Sequence, residues 1–162
     1  MRDSVVRAMD ARVTKPANVA RFERFFRLVA SLDVDKSDVK RYEEFVNTKV
    51  RDLLVRAEAT AKANGRDVIQ PHDIPITKGL QERIHDYRSI EALLELEPAV
   101  DAITRHPQLD LAYSDETEAQ LPTLAGGLGI ALARSFRVID AHLKNPQTED
   151  WERAIALFDL LI

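Results

Sequence analysis

The sequence predicts an all-α protein in which a short–long–short helical unit is used twice. Three observations carry this. Apolar residues between Val39 and Ala61 recur every three or four positions, the period of a helix with one buried face. Residues able to cap a helix stand at the ends of such runs, where free amides and carbonyls need partners. The boundary residues also recur at a constant offset of 77: Leu32-Asp33 and Ser37-Asp38 return as Leu109-Asp110 and Ser114-Asp115, and Gln70 and Asp73 return as Gln147 and Asp150.

The first helix is carried by Val19, Phe22, Phe25, Phe26 and Val29, and Leu32-Asp33-Val34-Asp35 links it to the next. The long helix follows on Val39, Tyr42, Phe45, Val46, Val50, Leu53, Leu54, Ala57 and Ala61. Asp35 or Ser37 caps its start, and Asn64-Gly65 stops it, since glycine adopts the left-handed conformation at low cost. That span is about seven to eight turns at 3.6 residues each. Arg66-Asp67-Val68-Ile69 is β-prone, Pro71 opens a turn that Pro75 limits, and a helix resumes near Thr77 with Leu80, Ile84 and Tyr87 facing inward.

The halves meet between Arg88 and Glu97 with no Gly/Ser-rich linker, so one fused globule is expected, with residues 1–18 as an N-terminal extension. Ser114 opens the second long helix. Thr148 opens the last, which carries Trp151, Ile155, Phe158 and Leu161; helical spacing directs this apolar tail, through Ile162, into the core. Trp151 takes the place of Ile74 in the repeat and is expected to pack. The second long helix contains Pro122, Gly126, Gly127 and Gly129. Each glycine costs a helix interior about 0.5–1 kcal/mol relative to alanine, and the expected reason is close crossing by another helix. A phosphate-cradling loop would need a preceding strand and a different glycine spacing.

At 162 residues the chain suits one compact domain or two very small, intimately packed ones. The absence of cysteine excludes disulfides, thiolate metal sites and cysteine nucleophiles. No apolar run approaches the roughly 18 residues of a membrane span, and the charged N-terminus does not read as a secretory signal, so a cytoplasmic protein is expected. His72, His85, His106 and His142 are scattered, without metal-ligand spacing. No nucleophile or phosphate-loop motif appears. No catalytic residue, metal or cofactor is therefore assigned.

The net charge of −4 is unevenly divided. Residues 1–88 hold 18 Lys and Arg against 14 Asp and Glu, net +4; residues 89–162 hold 5 against 13, net −8. The basic residues Arg12, Lys15, Arg21, Arg24, Arg27, Lys36, Lys40, Arg41, Lys49, Arg51 and Arg56 are interleaved with Glu23, Glu43, Glu44, Asp52 and Glu58. Mixed signs of this kind are the pattern of a solvated helix face.

Short, long and short helices with a β-prone loop before the last resemble the histone fold. Arg24-Phe25-Phe26-Arg27 resembles the basic–apolar–apolar–basic run in the first helix of archaeal histones. Ala63-Asn64-Gly65-Arg66-Asp67-Val68 with His72-Asp73-Ile74 resembles their second loop and third-helix start. The whole chain, from about residue 19 to 162, resembles a bacterial family of unknown function with two histone folds in one polypeptide, through Asn64 to Pro71 and Lys144 to Thr148.

The resemblance implies two histone folds, residues 19–88 and 89–162, packed as an intramolecular handshake, a pseudodimer whose two long helices cross. It implies a clamp between Arg66 and Asp73, and DNA contacts at Arg24, Arg27 and Arg66. Asp33, Asp67 and Asp110 stand where basic loop residues would be expected, which weakens phosphate binding. The leading expectation is a non-enzymatic protein-interaction or assembly module with a protein partner or self-association. The second is a nucleoid-associated protein binding DNA weakly through the first half.

Overall fold

The computed structural model describes residues 16–162. The proposed extension lies outside them up to residue 15, as do Arg12 and Lys15; Pro16, Ala17 and Asn18 already belong to the first helix. The described residues form six α-helices and two short strands.

Helix α1 runs Pro16–Ala30, opened by a proline whose missing N–H costs nothing at a helix start. Ser31, at φ 53°, reverses the chain, and its amide and that of Leu32 bond the carbonyls of Arg27 and Phe26. Helix α2, Lys36–Ala63, starts from a reciprocal cap: the Asp35 carboxylate accepts from the Asp38 amide at 2.9 Å, and the Asp38 carboxylate accepts from the Asp35 amide at 3.0 Å. It ends at Asn64 and at Gly65, whose φ of +69° is the left-handed conformation that favours glycine. Strand β1, Val68–Ile69, leads into a 3-10 turn at Pro71–Asp73 and then α3, Lys78–Ile90, capped by the Thr77 hydroxyl.

In the second half α4 is Leu96–Ile103, β2 Ala112–Tyr113, α5 Asp115–Ile139 and α6 Thr148–Leu161. The Ser114 hydroxyl caps α5 by accepting from the Thr117 amide, and α5 continues through Pro122. The second unit is not a full copy of the first. Helix α4 has 8 residues against 15 in α1, and an irregular segment containing Pro107 follows it. Proline has no N–H with which to continue a helix.

The two halves are joined at both ends and through a shared core. Strands β1 and β2 pair in parallel, Val68 opposite Ala112 and Ile69 opposite Tyr113. At the other end, the Asp33 amide donates to the Lys144 carbonyl at 2.7 Å. Between them α5 packs along α3 and also against α2, α1, α4 and α6. One core results. Tyr42 of α2 meets Phe22 and Phe26 of α1 at 5.1 and 5.3 Å, and Trp151 of α6 meets Phe136 of α5 at 4.9 Å and Phe26 at 6.4 Å. Rings in such tilted and edge-on arrangements gain about 0.5–1.5 kcal/mol beyond their buried area.

The three glycines lie in this core. A β-carbon on Gly126 would fall 2.4 Å from the Tyr87 ring, and one on Gly127 2.6 Å from Ile84 Cγ1 and 3.0 Å from its backbone nitrogen. On Gly129 it would meet the Tyr42 hydroxyl at 2.8 Å. Gly129 thus lies against the other long helix, whereas Gly126 and Gly127 admit α3.

Two expectations need correction. The tail of α6 enters the core only in part: Leu160 and Leu161 are 81% and 79% exposed on the outer face of the last turn, while Phe158 is buried and Ile162 packs against the core. Lys49, expected on a solvated face, is 2% exposed, covered by α6; its ammonium reaches the Asp159 carboxylate at 2.5 Å and Asp52 at 3.7 Å. No helix among the described residues is long and apolar enough to cross a membrane.

Candidate functional site

The residues assigned from sequence fall into two groups. The first lies where α2 ends. With Gly65 turning the chain, the Arg66 amide bonds the Ala61 carbonyl at 2.9 Å and its side chain is aimed at the 3-10 turn. There Arg66 Nη1 and Nη2 donate to Asp73 Oδ2 and Oδ1, both at 2.5 Å, a two-pronged bond that the planar guanidinium is shaped to make. Asp73 Oδ2 also accepts from the Gln70 amide at 2.8 Å, and its side chain is fully buried. The Arg66 hydrogen bonds hold the Asp73 carboxyl down to a pKa of about 2, against the opposing effect of desolvation. In the second half the Asp150 carboxylate accepts from the Gln147 amide, also at 2.8 Å, so the helix cap is repeated. Leu143 stands at the position equivalent to Arg66, so the clamp is not.

This geometry gives a pH signature. A carboxyl whose folded pKa lies below its ordinary value stabilises the fold above that ordinary value and loses the contribution as pH falls toward the folded pKa. Asp73 should therefore lose its contribution between about pH 4 and pH 2. Acid unfolding followed by circular dichroism should be shallower through that window in Asp73→Asn, and Arg66→Ala should be less stable at pH 7 because it leaves Asp73 buried without its cation. Wild-type acid dependence in Asp73→Asn would remove the clamp from the account.

The second group comprises the basic residues assigned to DNA. Arg24 is exposed and has no hydrogen bond or ion pair within the described residues. Arg27 Nε lies 3.4 Å from Asp33 Oδ1, and Arg66 is held by Asp73. The three are not brought together as a set of free cations. Nearby Lys62 is 3.1 Å from Asp110 and 3.6 Å from Glu58. Asp67 is exposed beside Arg66. Asp35 is committed to its helix cap, where the Ser37 hydroxyl at 2.6 Å contributes most to lowering its pKa.

Sequence reasoning missed the polar contacts that tie distant segments. The Trp151 indole donates to Asp38 Oδ1 at 2.8 Å, joining α6 to the cap of α2; burial raises the Asp38 pKa despite this bond. Asn47 donates to the Ile103 carbonyl at 2.9 Å and accepts from the Arg105 amide at 2.8 Å, holding the end of α4 on α2. The Asp38 cap spacing and the position of Asn47 in an apolar stripe were the available signals. The histidines remain dispersed. His72 is exposed beside Asp73, and His106 pairs with Glu118 at 3.0 Å. Among the described residues no group of three His, Asp or Glu side chains is arranged to hold a metal.

Fold and surface together define a mostly helical protein with one short two-stranded sheet, in which the candidate residues brought into contact serve capping and packing. The chain belongs to the family described as a domain of unknown function (DUF1931), which matches residues 22–159. A crystal structure of a protein from Thermus thermophilus is 50% identical, with a TM-score of 0.79 over 89% of this chain and 97% of that one. A 1.9 Å crystal structure of an Aquifex aeolicus protein has a TM-score of 0.80 at 22% identity, covering 91% and 97%, and shares the fold. An uncharacterized protein of Aquifex aeolicus (strain VF5) is 25% identical over 114 residues, which is 70% of this chain and 67% of that protein.

Proposed function

We propose that the chain is a single-chain pair of histone folds, a pseudodimer, that works without catalysis as a protein-interaction or assembly module. Support for the pairing comes from symmetry of connection. The loop after the first long helix pairs with the loop before the second through β1 and β2, and the loop before the first bonds the loop after the second through Asp33 and Lys144. In a handshake of equivalent units each end joins a first loop to a second loop in this way.

The observation that carries the functional reading is the state of the loop charges. Arg66 is spent on Asp73, Arg27 faces Asp33, Lys62 faces Asp110, and Asp67 is left exposed. Phosphate binding depends on cations that exchange condensed counterions, each contact adding close to one unit of salt-dependence slope. Cations already paired with carboxylates contribute little of this. A duplex meeting these loops would face fixed negative charge beside each cation. DNA binding, the second reading, rests on the unpaired Arg24 and its neighbours in the first half.

Titration of a fluorescent duplex at about 50 and about 200 mM salt separates the two readings. The assembly reading predicts no saturable binding at the lower salt. Tight binding at about 50 mM that falls by orders of magnitude at about 200 mM would replace it with the DNA reading.

A further inference from the structure

We propose that the cavity between α3, the segment Pro71–Ile76 and α5 binds a small organic anion with an apolar body. The cavity measures about 460 Å³, within the range of roughly 300–1,000 Å³ used for small ligands. Helix α3 lines it with Gln81, Ile84 and Arg88, spaced so that they share one face, and α5 lines it with Gln120, Thr123 and Leu124. Ile74, Ile84 and Leu124 are buried and make an apolar floor.

The polar side chains above that floor are unused by the fold. Gln81, Arg88, Gln120 and Thr123 make no side-chain hydrogen bond or ion pair within the described residues. His72, the fifth polar residue, is exposed at the rim. No aspartate or glutamate lines the cavity, so its formal charge comes from Arg88. Asp86, the nearest acid before Arg88 on α3, is held by Arg83 at 2.9 Å and Arg134 at 2.8 Å. A free guanidinium beside amide and hydroxyl donors, over an apolar floor and without a competing carboxylate, matches a carboxylate or phosphate ester carrying an alkyl or aryl group. Gly127 lets Ile84 of this floor sit directly against α5.

The test is an amide-resolved NMR titration of the full chain with 4-phenylbutyrate, octanoate and phenyl phosphate. At least one of these anions should give saturable shifts at Ile76, Ile84, Thr123 and Leu124, with Kd below about 1 mM. For that probe, Arg88→Gln should weaken binding at least about tenfold, Lys78→Gln on the exposed start of the same helix should leave it unchanged, and the uncharged amide or alcohol analogue should bind at least about tenfold more weakly. Absence of saturable shifts up to about 10 mM for all three anions would overturn the proposal. So would equal affinity for the neutral analogue, or equal weakening by Lys78→Gln.

Discussion

Trp151→Ala lowers stability by about 3–5 kcal/mol, the usual cost of truncating a large buried aromatic residue. The indole is 1% exposed and is the point at which α1, α2, α5 and α6 meet. Removing it deletes edge contacts to Phe136 and Phe26 and leaves a cavity between helices from both halves. It also takes from Asp38 the donor at 2.8 Å, leaving a buried carboxylate with the Asp35 amide alone. Trp151→Phe separates these effects: it retains most of the packing and loses the N–H, for a cost of about 1–3 kcal/mol. Denaturant titration of the three proteins measures both differences. A Trp151→Phe variant as stable as wild type would mean that Asp38 needs no partner across the halves.

Gly126→Ala/Gly127→Ala is the second large effect, and it runs against local propensity. In isolation alanine stabilises a helix by about 0.5–1 kcal/mol per site over glycine. Here the added methyls would lie 2.4 Å from the Tyr87 ring and 2.6 Å from Ile84 Cγ1, with the Ile84 backbone nitrogen at 3.0 Å. Ring rotation does not relieve the first clash, since the methyl meets Tyr87 at Cγ, and a new Ile84 rotamer still leaves the Ile84 backbone nitrogen and Cα at 3.0 and 3.1 Å, so α3 has to move away from α5. Overpacking of this kind costs about 1–3 kcal/mol per site. The double variant should therefore lose roughly 1–4 kcal/mol net. A raised melting temperature would show that helix propensity dominates and that α3 and α5 have room to spare.

Features specified within a few residues were legible from sequence. Asp35, Thr77 and Ser114 cap helices because a short side-chain oxygen reaches the amide three residues on, and that reach is set by the chain alone. The repeated Gln-x-x-Asp spacing became two caps of the same length for the same reason. The apolar stripe of α2, from Val39 to Ala61, is buried throughout. The pairing of Arg66 with Asp73 was implied by the resemblance to archaeal histones rather than by spacing, and the two side chains do make contact.

What periodicity could not supply is which elements cover which faces. Lys49 stands among buried positions because α6 covers a second side of α2, and its partner Asp159 lies 110 residues away. Trp151 and Asp38 are 113 residues apart. Leu161 continues the apolar spacing of α6, yet it is exposed because the spacing carries no information about where the surface beneath it ends. The cavity beside Arg88 is not legible in the sequence for a similar reason. Its polar groups come from α3, α5 and a turn, and none forms a motif.

In the proposed pseudodimer the two halves are each other's partner. A unit of about 70 residues with one apolar stripe has no second layer of its own against which to bury that stripe. In this chain the glycine face of α5 is closed by α3 and α2 of the other half. Expressing residues 1–88 and 89–162 as separate polypeptides tests this directly. Neither should show a cooperative thermal transition by circular dichroism, and an equimolar mixture should regain both helicity and a single transition. A half that unfolds cooperatively alone, at the melting temperature of the intact chain and unaffected by its partner, would contradict the shared core and the handshake built on it.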